Sequence, residues 1–270
     1  MENVASAVER LAALATAPHI ARLSNAFAAA GFELSLVGGS VRDAFLDRPL
    51  NDLDFTTNAD PDQILAVIRP LAEAHWDIGR AFGTIGARID GHTVEITSYR
   101  TDVYDGETRK PVVEFGDTLE GDLLRRDFTV NSMALRLPEQ VLVDPSGGVE
   151  DLLAGRISTP GAPERSFGDD PLRMLRAARF ASQLGFIVAE PTERAMRELA
   201  DRISIISVER TSDELGKLLR TDAPRAGLQL LVDTGLAALV LPELPALKLE
   251  IDEHHHHKDV YEHSLIVLDQ

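Results

Sequence analysis

At 270 residues the chain is long enough for one large domain or two smaller ones with real cores. Its composition, 44% apolar and 26% charged, is that of an ordinary soluble globular protein, with no run of eighteen apolar residues to cross a membrane. Lacking cysteine, it has no disulfide, thiolate metal site or cysteine nucleophile, and a net charge of −17 argues against a generic nucleic-acid coat. That charge is unevenly spread. Residues 156–225 carry 12 Lys+Arg against 11 Asp+Glu, whereas the preceding residues carry 13 against 25 and the following ones 2 against 8. All but one of the cations in the middle third are Arg, whose planar fork suits phosphates and base edges. Any nucleic acid would meet the chain there.

Residues Val4 to Ala15 and Ile20 to Ala30 have the three- and four-residue apolar spacing of helices, the second closed by Gly31. Glu2, Glu9 and Arg10 within this Ala-rich start are wrong for a signal peptide, so the simplest location is the cytoplasm. The chain is organised around the stretch Leu36 to Thr57. Leu34, Leu36 and Val37 form a strand running into Gly38 and Gly39, and Ser40 stands where the N-cap of a helix over Val41 to Leu46 belongs. Free N–H groups at such a helix start suit a phosphate. The chain then returns as Asp52-Leu53-Asp54-Phe55. On a strand, positions two apart share a face, so both carboxylates point one way. Two such carboxylates resist joint ionisation unless a cation sits between them. Gly-Gly-Ser alone is often only a tight turn, and Asp-x-Asp alone is usually solvated; their conjunction within about twenty residues points to a nucleotide-handling centre.

Asp60-Pro61 starts a helix to about Arg69. Phe82 to Tyr99 is a hairpin with its turn at Asp90-Gly91, and Ile85, Ala87, Ile89, Val94 and Ile96 alternate on its strands. Glu95 falls on the polar face, either as a solvated glutamate or as a third acid near Asp52 and Asp54. Thr101 to Val113 reads as a mobile loop, Leu119 to Asp127 as a helix ending in Arg125-Arg126-Asp127-Phe128, and Asn131 to Leu137 with Val141 to Asp144 as a final pair of strands. Pro145 to Gly148 is a turn before a short helix, Val149 to Ala154.

From about Gly155 strand signals vanish. Helices are expected over Pro171–Leu184, Thr192–Ala200, Val208–Leu219, Ala223–Val232 and Leu236–Leu239, punctuated by Gly185, Gly227 and Gly235. The fold class is therefore an α/β (α+β) head with a mixed sheet, residues 1–155, followed by an all-α neck, residues 156–240. In the neck, Asp170, Arg173, Arg176 and Arg179 recur every three residues as one polar stripe. A solvated face usually mixes Lys with Glu, so three arginines led by one aspartate suggest a recognition edge. The His-rich segment from Asp252 continues as an amphipathic pattern still running at Gln270, the expected front part of a longer protein.

These pieces resemble the bacterial class II tRNA nucleotidyltransferases, the CCA-adding enzymes, and their relatives the bacterial poly(A) polymerases. Leu36-Val-Gly-Gly-Ser-Val-Arg-Asp with Asp52-Leu-Asp is similar to the family's first motif. The resemblance implies Asp52 and Asp54 as ligands of two Mg2+ ions, and Gly38, Gly39, Ser40 and Arg42 around the nucleoside triphosphate. Arg125-Arg-Asp-Phe-Thr-Val-Asn resembles the second motif, implying Arg126 on the nucleotide and Asp127 and Asn131 around the ribose. Asp144-Pro-Ser-Gly-Gly-Val-Glu-Asp-Leu resembles a hinge between head and neck. Asp169-Asp-Pro-Leu-Arg resembles the base-reading motif, with Asp170 and Arg173 in its key positions and Arg176 and Arg179 following; Asp169 stands where Glu is common. Ser207-Val-Glu-Arg with Glu214-Leu-Gly-Lys resembles the next neck motif. His263 resembles the first histidine of an HD-type domain beginning over residues 241–270.

The resemblance implies template-independent addition of C and A to the 3′ end of tRNA from CTP and ATP, with no membrane involvement. Cytosine and adenine both present an amine donor beside a ring-nitrogen acceptor, which a carboxylate and a guanidinium can read together. Poly(A) addition is the alternative, but Gly79-Arg-Ala-Phe-Gly lacks the second Arg that marks that branch. CC-only or A-only addition is also open, and HD-type phosphohydrolysis would rest on His263 alone. A non-catalytic RNA-binding relative would be expected to have lost Asp52 or Asp54.

Overall fold

The computed structural model describes residues 4–50, 53–103, 112–115, 118–249 and 260–269. They divide into two compact units, Met1–Leu153 and Ala154–Gln270. In the first unit the helices are α1 (Val4–Ala15), α2 (Pro18–Ala29), α3 (Gly39–Phe45), α4 (Pro61–Ile68), α5 (Leu119–Leu124) and α6 (Gly148–Ala154). Its strands are β1 (Leu34–Val37), β2 (Leu53–Thr57), β3 (Ala74–Trp76), β4 (Thr84–Ile89), β5 (His92–Ser98), β6 (Arg100–Val103), β7 (Val112–Phe115), β8 (Ala134–Leu137) and β9 (Val141–Val143).

Seven of these strands form one mixed sheet in the order β3-β4-β5-β2-β1-β8-β9, in which β2 and β5 are the parallel pair. Strand alternation gives this sheet two different faces. Leu34, Leu36, Phe55, Ile85, Ala87, Val94 and Ile96 are buried on one, and α2 and α4 pack against β1, β4 and β5. On the other, Val37 and Ala134 pack with Leu119 and Leu123 of α5 and with Tyr99. Beside that cluster the row runs Trp76, Gly86, Glu95, Asp54 across four strands.

Local chemistry accounts for the element ends. Asp60 caps α4 in a reciprocal box with Gln63, at 2.9 Å and 2.8 Å. Asp90 and Gly91 both take positive φ, 49° and 80°, the geometry that joins β4 to β5 in a two-residue turn. Gly31, as expected, takes φ 82° after α2. The segment expected to be a loop over 101–113 contributes β6 and β7, which pair antiparallel; residues 104–111 lie outside the described residues.

The second unit holds β10 (Arg156–Ile157), α7 (Pro163–Asp169), α8 (Leu172–Leu184), β11 (Ile187–Val188), α9 (Glu190–Glu198), α10 (Val208–Leu219), α11 (Pro224–Asp233), α12 (Ala237–Val240), α13 (Glu243–Ala246) and α14 (Val260–Leu268). Among its described residues the regular structure is helical except for the two-residue parallel ladder of β10 with β11, too short to leave an alternating pattern in sequence. Gly185 closes α8 in the left-handed region at φ 69°. Gly227, in contrast, interrupts nothing. It lies inside α11, where α11 crosses α8, and its N–H donates to Ser182 Oγ at 2.8 Å. A Cβ there would come within 2.5 Å of Leu218 Cδ1 and 2.7 Å of Ser182 Oγ, and closer still to the Ala178 carbonyl oxygen. That oxygen belongs to helix backbone and cannot yield. Overpacking costs about 1–3 kcal/mol, occasionally more, against a helix-propensity gain of about 1 kcal/mol for replacing Gly. Gly227→Ala is therefore expected to destabilise the helical unit, read as a lower thermal midpoint; an unchanged or raised midpoint would show that the helices part without cost.

Candidate active site

The site is built at the C-terminal end of β1. Gly38 takes φ 64° and is itself the residue before α3, so Ser40 is not the N-cap that its sequence position suggests but lies in the first turn. Its hydroxyl serves otherwise, accepting the backbone N–H of Asp54 at 3.0 Å. The turn is thereby tied to the strand bearing the carboxylate. Asp54 is half-buried, and its partner in the parallel ladder is the exposed Glu95, so the two acids stand side by side on one face. Asp52 lies outside the described residues.

Two segments nearly ninety residues apart meet at this turn. Arg42 is 5% exposed, and its guanidinium donates to both carboxylate oxygens of Asp43, each at 2.9 Å, and to Asn131 Oδ1 at 2.6 Å. Asn131 Nδ2 in turn donates to Asp127 Oδ1 at 3.0 Å, and that oxygen also accepts the Phe128 N–H at 2.8 Å. Arg42, Asn131 and Asp127 are thus one connected network, in which the buried Arg42 braces Asn131. Gly38 packs so closely under Arg126 that a Cβ on it would lie 3.0 Å from Arg126 Nη1. Arg126 Nη2 donates to Asp122 at 3.1 Å, while its Nε is buried without an acceptor among the described residues. The guanidinium thus spans from the buried Asp122 carboxylate to the glycine turn.

Sequence reasoning missed Asp122. Its side chain is fully buried and accepts from Arg125, Arg126, Thr56 and the Arg100 backbone. Its spacing of three and four from the two arginines was the available signal. The expected hinge motif is likewise held within the first unit. Asp144 accepts the Gly148 and Val149 N–H groups at 2.7 Å and 2.9 Å, and Thr129 donates to Asp151 at 2.6 Å.

The neck stripe differs from its expected form. Asp170 is not on the helix: it takes extended angles between α7 and α8, with Oδ1 accepting the Leu172 N–H at 3.1 Å. Its Oδ2 pairs with Arg210 of α10 at 3.0 Å. Arg173 donates to Ser166 Oγ at 2.9 Å. Farther along α8, Arg179 is only 12% exposed and pairs at 2.7 Å with Glu214, a carboxylate 4% exposed. Arg179 also donates to Gln183 at 2.9 Å and lies 4.2 Å from the centre of the Phe180 ring, and Arg176 stands 3.8 Å from the same Glu214. The stripe is an edge at its Asp170–Arg173 end and a buried brace at its Arg179 end. The sequence could not show this, because Arg210 and Glu214 arrive from another helix. His263 is exposed on α14.

A nucleotidyltransferase head followed by a helical domain is the class that this sheet, turn and carboxylate strand define. Comparison with known proteins agrees. Residues 34–158 match the poly A polymerase head domain, and residues 185–247 match the probable RNA and SrmB-binding site of polymerase A. The chain is 42% identical over 208 residues to the CCA-adding enzyme of Bacillus subtilis (strain 168), covering 77% of this chain and 51% of that one. The solved CCA-adding enzyme of Bacillus stearothermophilus in complex with CTP aligns with TM-score 0.74 and 37% identity over 81% of this chain and 52% of that one. A tRNA nucleotidyltransferase complexed with a primer tRNA and an incoming ATP analog aligns with TM-score 0.69 and 26% identity, over 91% and 74%. The chain belongs to the bacterial class II tRNA nucleotidyltransferase and poly(A) polymerase family. It spans about half the length of the curated relatives it matches. Among the described residues no helix is long and apolar enough to cross a membrane.

Proposed function

We propose that this protein adds C and A nucleotides to the 3′ end of tRNA from CTP and ATP without a nucleic-acid template. The observation that carries the reading is the convergence of Gly38, Arg42, Arg126, Asp127 and Asn131 at one turn, bonded through Ser40 to the Asp54 strand. A guanidinium beside a glycine turn and a carboxylate strand has the parts for handling a triphosphate. The relatives' complexes with CTP and with primer tRNA support the same substrates.

An all-oxygen donor set of carboxylates fits magnesium better than softer metals. Asp52 and Asp54 would hold Mg2+ there, with Glu95 beside Asp54 as a third carboxylate. The metal supplies activation of the RNA 3′-hydroxyl and neutralisation of the leaving pyrophosphate. The chain's own residues position the nucleotide: Arg126 on the phosphates, and the Asp127–Asn131 pair, braced by Arg42, at the ribose. Positioning and charge stabilisation carry most of such a transfer. In the helical unit we assign base reading to Asp170 and Arg173, with Arg176 and Arg179 supporting them through Glu214. The division into head, neck and the start of an HD-type domain at residues 241–270 belongs to the same proposal. A tRNA-maturing activity assigns the protein to the cytoplasm.

The deciding experiment offers the full-length protein a tRNA ending at the discriminator base, with CTP alone, ATP alone, and both. The expected products are +CC, no extension, and +CCA. A long A tail from ATP alone would identify a poly(A) polymerase instead, and a product stopping at CC with both nucleotides would restrict the activity to C addition.

A further inference from the structure

One charge in the first unit that still lacks a role is that of Asp122. Its side chain is wholly buried, and its two oxygens are divided between two cations. Oδ1 accepts from Arg125 Nε at 3.1 Å and Nη2 at 2.8 Å, and Oδ2 accepts from Arg126 Nη2 at 3.1 Å. The same carboxylate receives the Thr56 hydroxyl at 3.3 Å and the Arg100 N–H at 3.4 Å. Thr56 is two residues beyond Asp54 on β2 and shares its face. Burial alone would push the Asp122 carboxyl up, but Arg126 and Arg125 outweigh it and hold it below its ordinary value, so it stays charged.

Here one carboxylate is shared by two guanidinium groups, and the Arg126 end lies over Gly38 with its Nε unanswered among the described residues. We propose that Asp122 is a positioning residue for nucleotide binding. It pins one edge of the Arg126 guanidinium and leaves the rest directed at the glycine turn, in register with the Asp54 strand through Thr56. The proposal rests on the reading of Arg126 as the nucleotide's arginine.

Asp122→Asn keeps the volume but turns an amide donor or a neutral oxygen toward the arginines, freeing Arg126 to swing. In the full-length protein the KM for CTP is expected to rise roughly tenfold, more than kcat falls. A merely structural role would lower the active fraction and leave KM unchanged. The double variant Asp122→Asn/Arg126→Gln separates the two readings. If Asp122 acts through Arg126, the double variant has the KM of Arg126→Gln alone; additive effects would overturn the proposal. If Arg126→Gln alone leaves the KM for CTP unchanged, the reading of Arg126 fails instead. Should Asp122→Asn not fold, Arg125→Gln still decides. It frees the carboxylate for Arg126, so the KM for CTP is expected to stay within about twofold. A rise matching that of Arg126→Gln would make Arg125 the presented arm and sink the proposal.

Discussion

Replacing Asp54 by Asn is expected to reduce nucleotide addition to tRNA by on the order of 10²–10³-fold, the loss met when one preorganised stabiliser of transition-state charge is removed. The fold should survive. Asn is isosteric, Asp54 is half-buried, and the bond that ties β2 to the glycine turn uses its backbone N–H rather than its carboxylate. Stability is then expected to stay within about 0.5 kcal/mol of the parent. Binding of CTP should persist, because Arg126 and the Arg42–Asn131–Asp127 network are untouched. The measurement is a single-turnover addition of C to tRNA with a parallel CTP-binding titration. Activity above a tenth of the parent would remove Asp54 from the metal-holding role, and loss of folding would show that the carboxylate serves the sheet.

Much of this site was readable from residue order. The glycine turn, the carboxylate strand and the Arg125–Asn131 motif are each local, and short-range chemistry places them on a turn, a strand and a helix end. What the chain could not show is which side chains meet. Ser40 has the identity and position of an N-cap, yet Gly38 at φ 64° already opens the helix, and the serine hydroxyl is spent on Asp54 across fourteen residues. Arg42 reads in sequence as a ligand-facing cation, and its bond to Asn131, which arrives from the far end of the unit, has no local signal. Asp122 looks like any helix aspartate, because its burial depends on Thr56 of β2 and Arg100 of β6 closing over it. The two-residue strands β10 and β11 are likewise made by their pairing, with no periodicity to betray them. The miss at 101–113 has a different origin: charged, turn-rich composition outweighed the β-branched Val112 and Val113, which pair with Val103 and Asp102.

The stripe on α8 tests whether chemistry and choice of base reside in different units. Asp170→Ala is expected to relax selection between CTP and UTP by about ten- to a hundredfold in relative kcat/KM, with a smaller loss of turnover on CTP. The magnitude is that of leaving a polar group unanswered, about 1–3 kcal/mol. Cytosine offers its amine to a carboxylate and its ring nitrogen to a guanidinium, whereas uracil sets a carbonyl against the carboxylate and an N–H against the guanidinium. Removing the carboxylate removes the repulsion against uracil along with the attraction for cytosine. Asp170 stands off the helix, with the Leu172 N–H on one oxygen and Arg210 on the other. Those two bonds fix its direction, and a fixed carboxylate discriminates better than a swinging one. Arg173, at the start of α8, is steadied by Ser166 in the same way. Arg179 is unsuited to reading, since its pairing with a carboxylate only 4% exposed must be kept to avoid a buried unpaired charge. Discrimination against UTP that stayed at the parent level in Asp170→Ala would move the choice of base elsewhere in the protein.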